Sequence, residues 1–347
     1  MSYTVHDVKT LKDKRRSETF DVEIPYRVGG EMHIVRKHMV KGEMDMPVLG
    51  DKPLGELMHT TPALESLAEK VVLDVELGRE EVPVLYTPIY QRLEDPNFPR
   101  VLDAKWALEG RIVFLERMEN EEVKFGTLAA EQGPIARIVS YAAGFEYTEE
   151  MLLYPYTFEL EVMNRAMGEA YNALLNEIHL APILDFDYQA ANQTAAQGDD
   201  DEAYALQIRK TLRQALVDTA TAGRPGSILL ANAAQRWDIE DSLKGMWVSG
   251  TQVEPLEGIT DIIYYNGWSV TVGEKTYSYS GVPLNTAYLI RPRRGFKELV
   301  KRDLMVDAQP GPLNRLVEEQ VVGRAYRGVF AAIEENVQEV DLTEQTS

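Results

Sequence analysis

The sequence predicts an α+β fold organised around one long amphipathic helix. Three observations support this class. A β-rich run over residues 135–147 leads directly into a helix-start signal at Thr148–Glu150. A helical period of apolar residues then persists for about 25 residues, roughly twice the length of an average globular helix. Residues 200–290 alternate helical stretches with short β-rich runs and glycine turns, which is typical of a compact α/β unit.

The long helix, here called the spine, is predicted to begin near Pro155 and to end at Pro182. At 1.5 Å per residue it would span about 37 Å. Apolar residues recur at the spacing of one helix face: Met163, Ala166, Met167, Ala170, Tyr171, Leu174 and Ile178. Polar residues fall mainly on the opposite side: Glu161, Asn164, Arg165, Glu169, Asn172 and Asn176. This pattern predicts that the first set faces the core.

Composition excludes several classes of protein. The 347 residues allow about two domains, and the chain contains no cysteine, which rules out disulfides, thiolate catalysis and cysteine-ligated zinc. A net charge of −20 argues against broad nucleic-acid binding. No apolar run reaches the roughly 18 residues of a membrane span, and no secretory signal is evident. We therefore expect a protein made in a reducing cytoplasm, with no membrane partner.

The N-terminal part predicts extended structures that need a partner surface. Two β-leaning runs, Phe20–Tyr26 and Met32–Met39, flank a Gly-Gly turn and predict a hairpin. Residues 62–72 predict a short helix. Four prolines between residues 80 and 102 predict extended backbone, whose apolar side chains would bury against a neighbouring subunit. Residues 111–127 predict a second hairpin, with an acidic tip at Met118–Glu121, that contacts another chain.

The second half predicts further buried elements. Residues 202–222 form an amphipathic helix, residues 227–231 a buried strand, and Asn232 caps a helix that ends at Leu243. Residues 296–306 predict a strand or short helix, and residues 314–334 predict a buried element that packs on the spine. Residues 200–290 would then be an insertion in a domain on which both ends of the chain meet.

No catalytic constellation emerges from the sequence. The acidic pairs and runs at Asp185, Asp187 and Asp199–Asp201 could bind a divalent cation, but helix capping or a loop explains them as well. The glycine-flanked stretch Gly267–Thr276 has the wrong spacing for a phosphate loop, and its middle favours strands. The histidines show no metal-ligand spacing. The sequence therefore assigns no catalytic, cofactor-binding or metal-binding residue and no cofactor.

The order of these elements resembles the major capsid proteins of tailed bacteriophages, which share the Hong Kong 97 phage shell fold. The resemblance covers about residues 80–340. It rests on the strand IARIVSYAAGFEYTEEML, the helix NRAMGEAYNALLNEIHL, the inserted unit, and the return through YLIRPRRGFKELVKRDLMV to RLVEEQVVGRAYRGVFAAI. The most specific stretches are GFEYTEEML and GSILLANAAQRWDIEDSL.

The resemblance implies a division of the chain into named parts. These are an N-terminal arm and connector (1–70), an extended segment (71–105), an extended E-loop hairpin (106–134), a peripheral domain with the spine (135–199), an axial domain (200–290) and a return to the peripheral domain (291–347). It also implies self-assembly into pentamers and hexamers of an icosahedral shell that encloses double-stranded DNA, which it contacts only non-specifically.

The resemblance also implies a portal protein and decoration proteins as partners. A separate scaffolding protein is expected as well, because no long coiled coil begins the chain. The expected location is the virion, after assembly in the host cytoplasm. Two alternatives remain open. One is an encapsulin, a cellular nanocompartment shell of the same fold; the other is a divalent-metal-dependent enzyme using the acidic residues above.

Overall fold

The computed structural model describes residues 4–6, 19–28, 31–40, 71, 74–103, 135–148, 157–248, 251–272, 274–310 and 317–345. These residues build an α+β fold, as predicted, with a six-stranded sheet, a four-stranded sheet and the spine helix. The helices are α1 (74–81), α2 or the spine (Thr157–Leu184), α3 (Tyr204–Thr221) and α4 (Arg236–Leu243). Short 3-10 turns span Ala190–Asn192 and Ala233–Gln235.

The strands of the first half are β1 (Thr4–His6), β2 (Thr19–Val28), β3 (Glu31–Val40), β4 (Gln91–Glu94), β5 (Val101–Asp103), β6 (Ile135–Arg137), β7 (Val139–Thr148) and β8 (Gln193–Thr194). Those of the second half are β9 (Ile228–Ala231), β10 (Met246–Val248), β11 (Thr251–Val253), β12 (Asp261–Tyr264), β13 (Gly267–Val272), β14 (Lys275–Ser280), β15 (Thr286–Ile290), β16 (Phe296–Pro310), β17 (Val317–Ala331) and β18 (Val337–Asp341).

The spine is longer than predicted, because Pro182 does not end it. The helix contains 28 residues, which corresponds to about 42 Å. Proline removes only its own N–H and crowds the carbonyl one turn earlier, so the last turn can continue beyond it. The backbone N–H of Asp185 donates to the carbonyl of Ala181 at 2.8 Å and closes that turn.

The prediction of which spine face is buried is only partly correct: Met167 and Tyr171 are buried as predicted, but part of the predicted polar side is buried as well. Asn164, Asn172 and Asn176, assigned to the opposite side, are at most 2% exposed. Ala166, assigned to the core, is exposed, and Leu174 is only partly buried. The asparagines are buried because residues 74–94, a segment far earlier in the chain, pack along them, and no periodicity rule reveals that a polar row has a polar partner.

That packing segment, residues 74–94, is here called the strap. It begins as helix α1 and continues as an extended chain to β4, so the predicted extended segment 71–105 is partly helical. The sequence predicted that the apolar side chains of this segment would be buried against a neighbouring subunit. In the structure they are buried within their own chain. Ile89 is fully buried and Tyr90 is 4% exposed, and both belong to the main core of their own chain, with Leu175, Leu180 and Phe296.

The six-stranded sheet has the order β1-β12-β9-β15-β18-β8. Strands β1, β12 and β9 are parallel, and β15 is antiparallel to both β9 and β18. Strand β9 is buried throughout, as predicted. Strand β18 lies inside this sheet, between β15 and β8. This five-residue strand hydrogen-bonds to the edge of β15 that would otherwise be unpaired. A pairing between segments far apart in the chain cannot be predicted from five residues of sequence.

The four-stranded sheet has the order β4-β16-β17-β7. Strands β16 and β17, each of 15 residues, form a long antiparallel pair, so the segments predicted as a strand or short helix and as a buried element are both strands. The N-terminal pair β2–β3 confirms the first predicted hairpin. The predicted E-loop hairpin 106–134 and nearly all of the predicted helix 62–72 lie outside the described residues.

The spine and α1 approach each other at two glycines. A Cβ atom on Gly168 would lie 2.0 Å from the carbonyl oxygen of Val75, and one on Gly78 would lie 2.0 Å from that of Arg165. Real Cβ atoms essentially never come so close to backbone atoms. Glycine at these positions therefore sets the distance at which the strap can dock on the spine.

We predict that Gly168→Ala lowers the stability of the unassembled subunit. Helix propensity alone predicts a gain of up to about 1 kcal/mol, whereas overpacking typically costs about 1–3 kcal/mol. The two effects have opposite signs, so the direction of the shift in the urea midpoint decides between them. Ala166→Ser on the exposed side of the same helix is the control and should change stability by less than about 0.5 kcal/mol. A stabilised Gly168→Ala subunit would contradict the close approach.

Candidate functional site

Charged side chains meet beneath the spine in a cluster that we call the charged junction: Glu298, Asp303 and Arg327, with Tyr86 and Tyr171. Arg327 is 1% exposed and is the largest of the fully buried side chains among the described residues. It comes from β17 and pairs with Glu298 and Asp303 of β16. The tyrosines come from the strap and the spine, so the junction joins four elements.

A distortion of β16 positions the second carboxylate. The β16–β17 register shifts between Val300 and Arg302 and again between Arg302 and Met305. Such bulges re-aim side chains by breaking the strict alternation of a strand. Here the bulge allows both Glu298 and Asp303 to reach Arg327, although they are an odd number of residues apart. A regular strand would place them on opposite faces.

The two tyrosines complete the hydrogen bonding. The hydroxyl of Tyr86 donates to Glu298 Oε1 at 2.8 Å, and that of Tyr171 donates to Asp303 Oδ1 at 3.0 Å. Arg327 Nε in turn donates to the Tyr171 hydroxyl at 2.8 Å. A buried charge is tolerated only when it is paired and hydrogen-bonded, and the junction meets this condition for Arg327.

The electrostatics of the junction follow from these contacts. Burial by itself favours the neutral acid at Asp303, but the guanidinium charges of Arg327 and Arg79 outweigh it and lower the pKa of this carboxyl below its usual range. Burial likewise opposes the charge on Arg327, yet Tyr171, Asp303 and Glu298 raise its pKa above the usual value. Both groups are therefore charged at neutral pH.

His179 of the spine lies next to the junction. Its ring stacks on Tyr86 with 3.5 Å between ring centroids, and its Nδ1 lies 2.6 Å from the carbonyl oxygen of Leu175. A carbonyl only accepts hydrogen bonds, so Nδ1 carries the proton. Nε2 lies 3.8 Å from Glu298 Oε1, beyond hydrogen-bond distance. Burial lowers the pKa of His179 to about 3, and the charge of Arg327 acts in the same direction.

The spine asparagines bind the strap through its backbone. Asn172 Nδ2 donates to the carbonyl oxygens of Arg79 and Val82 at 2.7 and 2.8 Å. Asn176 accepts from the backbone N–H of Leu85 at 2.8 Å and donates to the carbonyl of Pro83 at 2.9 Å. These bonds satisfy backbone groups of an irregular, proline-containing segment that has no strand partner there, which is why such a segment can be buried.

This arrangement fixes elements of the fold in place. The charged groups of the junction pair with one another, and His179 is neutral at pH 7 with its Nδ1 proton committed to the backbone. Three cavities of about 340, 500 and 290 Å³ lie in the described part of the chain. Tyr171 lines the last of them, and none is lined by Glu298, Asp303 or Arg327.

The acidic residues considered as metal ligands are not assembled into a site. Within the part of the chain that the structure describes, no group of three or more histidine, aspartate or glutamate residues could hold a metal ion. Lys210 lies 3.7 Å from Asp199 and binds Glu202 at 2.5 Å, so this acidic run is partly neutralised by a lysine of α3. The stretch around Gly267 forms the antiparallel pair β13–β14, not a phosphate loop.

Sequence reasoning missed the junction and the asparagine contacts. The junction residues are up to 241 positions apart, from Tyr86 to Arg327, and no local pattern connects them. One signal for the asparagines was present: Asn164, Gly168, Asn172 and Asn176 recur every four residues and form one ridge of the helix. A ridge of small and amide residues marks a close helix contact as readily as a solvent face.

We predict that Arg327→Met destabilises the subunit by about 3–5 kcal/mol, because it leaves Glu298 charged, buried and unpaired. The double variant Glu298→Gln, Arg327→Met should recover a large part of this loss, since the amide still accepts from Tyr86 without a charge. Urea unfolding of the wild type, both single variants and the double variant gives the coupling energy. Additive effects of the two substitutions would contradict a direct pairing.

A second prediction concerns pH. The folded-state pKa of His179, about 3, lies below its ordinary value of 6.5, so the unfolded chain takes up a proton that the folded chain refuses. Stability therefore falls as pH decreases through 6.5, by about 2 kcal/mol between pH 7 and pH 5. His179→Phe keeps the ring stack but cannot titrate, and its unfolding free energy should lose this slope. If the unfolding free energies of the wild type and of His179→Phe depended equally on pH, His179 would not be the group responsible.

No helix within the described residues is long and apolar enough to cross a membrane. The sequence matches no family model, and it matches no curated protein.

Solved structures, in contrast, match most of the chain. The capsid structure of the cyanophage P-SCSP1u has a TM-score of 0.50 at 11% identity, covering 76% of this chain and 89% of the capsid chain. The virus-like particle of Pyrococcus furiosus has a TM-score of 0.47 at 14% identity, covering 79% and 98%. An encapsulin complex of Synechococcus elongatus has a TM-score of 0.39 at 10% identity, covering 63% and 79%. With its spine, long strand pair and six-stranded sheet, the chain has the Hong Kong 97 shell fold of tailed-phage capsid proteins.

Proposed function

We propose that this chain is the major capsid protein of a tailed bacteriophage. Copies of it assemble into pentamers and hexamers of an icosahedral shell that encloses double-stranded DNA. The observation that carries the proposal is the shared shell fold, which extends over 89% of the cyanophage capsid chain and 76% of this one. Proteins with this architecture act by forming walls, and the buried junction fits that role because it fixes elements instead of exposing reactive groups.

The charge of the chain supports a DNA-filled shell of this kind. A net charge of −20 disfavours tight, sequence-independent binding to phosphates, which requires a basic surface. DNA could then be packed against the wall without adhering to it. In this proposal the partners are further copies of the chain, a separate scaffolding protein, a portal protein and decoration proteins. The protein assembles in the host cytoplasm and resides in the virion.

The architecture suggests a role for each part. The six-stranded sheet with α3 and α4 would form the axial domain near the symmetry axis of each pentamer or hexamer. The spine and the four-stranded sheet would form the peripheral domain, and residues 106–134 the E-loop that lies over a neighbouring copy. The apolar residues of the strap are already buried in their own chain, so they are not part of this intersubunit contact.

An encapsulin is the alternative within the same fold. It would enclose an enzyme instead of a genome, and the shell itself would be built in the same way. Genes for a terminase and a portal protein next to this gene would support the phage assignment. A neighbouring enzyme gene with a docking peptide would support the encapsulin.

Particle formation tests the proposal directly. We expect the purified chain to form capsomers or closed shells with fivefold and sixfold features, seen by size-exclusion chromatography and negative-stain electron microscopy. Deleting residues 106–134 should leave the thermal midpoint of the subunit nearly unchanged and abolish closed shells, because the E-loop would contribute only between copies. A wild-type chain that stays monomeric at all concentrations, with and without the neighbouring phage genes, would overturn the proposal.

A further inference from the structure

Strands β13 and β14 form a two-stranded ribbon, here called the β13–β14 ribbon, whose two faces differ sharply in chemistry. The register pairs Trp268 with Tyr279 and Val270 with Tyr277 on one face. The alternate pairs put hydroxyl side chains on the other face: Ser269, Thr271, Thr276 and Ser278. The ribbon is therefore amphipathic, and an amphipathic ribbon has one face that favours burial.

Only the base of the apolar face is covered. Trp268 and Tyr279 stack with their ring centroids 5.5 Å apart and are partly buried where β14 contacts the spine. Further along the same face, exposure rises to 37% for Val270, 55% for Tyr277 and 63% for Val272. The apolar surface thus continues from an intramolecular contact out into solvent.

The two strands approach each other closely at the base of the ribbon, where it leaves the rest of the subunit. Gly267 has φ of +80°, and a Cβ atom there would lie 2.2 Å from the carbonyl oxygen of Tyr279. A Cβ on Gly281 would lie 2.2 Å from the carbonyl carbon of Asn266. The two strand ends are pressed together at these glycines. Within the described residues each strand pairs only with the other, and a two-stranded ribbon alone is marginally stable in water.

Charge identifies the occupant that this face suits. The whole chain carries 56 acidic and 36 basic residues, so copies repel one another over most of their surface. The two strands of the ribbon contain no acidic residue, and their only charged residue is Lys275, which pairs with Val272 on the apolar face. The exposed Glu274 lies in the turn that joins the strands. The face itself therefore carries a positive charge and no carboxylate, so a second copy of this acidic chain can approach it with little electrostatic repulsion.

We propose that the exposed apolar face of the β13–β14 ribbon, formed by Val270, Val272 and Tyr277, packs against a second copy of this chain in the assembled shell. This inference rests on the proposed function and names one contact within it. The face is buried only after assembly, and the hydroxyl face remains in solvent.

The absence of cysteine makes this testable by thiol labelling. We would prepare Val272→Cys and, as the matched control one residue away on the opposite face, Thr271→Cys; each variant then holds a single thiol. Both should react with a maleimide at similar rates in free subunits. In purified particles the Val272→Cys variant should react at least tenfold more slowly, while the control should keep most of its reactivity.

Substitution with charge gives a second measure. Val272→Glu with Tyr277→Glu should reduce particle yield at least tenfold at an unchanged thermal midpoint, whereas Thr271→Glu with Thr276→Glu should assemble normally. Equal yields for the two pairs, or full maleimide reactivity of the Val272→Cys variant in particles, would overturn the inference. Protection that appears only when a scaffolding or decoration protein is added would assign the face to that protein and equally refute contact between copies. If the wild type forms no particles, the proposed function fails instead.

Discussion

The fold depends on the docking of the strap against the spine through amide–backbone hydrogen bonds. Asn172 and Asn176 bind carbonyl and N–H groups of the strap, a segment that has no strand partner there. Gly78 and Gly168 allow the strap and the spine to approach each other closely. A buried loop is ordinarily excluded because its backbone loses water without compensation. Here the compensation is built into one ridge of the spine. The strap then delivers Tyr86, Ile89 and Tyr90 into the core, so the charged junction exists only because this contact does.

The charged junction fixes the four-stranded sheet in a similar way, through paired polar groups. Replacing a buried ion pair by apolar residues often costs little stability, so its value lies in orientation, since only one placement of β16 and β17 satisfies Arg327. The bulge in β16 is the local distortion that makes this placement possible. A long strand pair would otherwise be free to slip in register or to swing against the helix. In the proposed shell, that orientation would determine where neighbouring copies are held, and small angular errors would accumulate over many copies.

Interior and exterior of the molecule use opposite chemistry. Inside, polar groups are numerous and most are hydrogen-bonded: asparagines, tyrosines, His179 through its Nδ1, and a desolvated arginine fix the elements. On the β13–β14 ribbon, apolar groups are exposed and unmatched. This inversion would be expected for a subunit whose fold is complete before assembly and whose remaining apolar surface is covered by other copies, as proposed above. Under that proposal a strongly acidic chain could associate with itself, since few charged residues lie on the proposed contact surface.

The sequence by itself determined the α+β class, the existence of the spine, the N-terminal hairpin, the buried strand β9 and the resemblance to phage shell proteins. These rest on local periodicity and on element order, which are properties of consecutive residues. Tertiary structure alone decided that Asn172 and Asn176 are buried, that the helix continues through Pro182, that β18 joins the six-stranded sheet, and that Arg327 meets Glu298 and Asp303. The continuation through Pro182 depends on a local hydrogen bond that the periodic pattern does not show. Each of the other outcomes depends on a partner many residues away, and a polar side chain shows its preference for the interior only once that partner is in place.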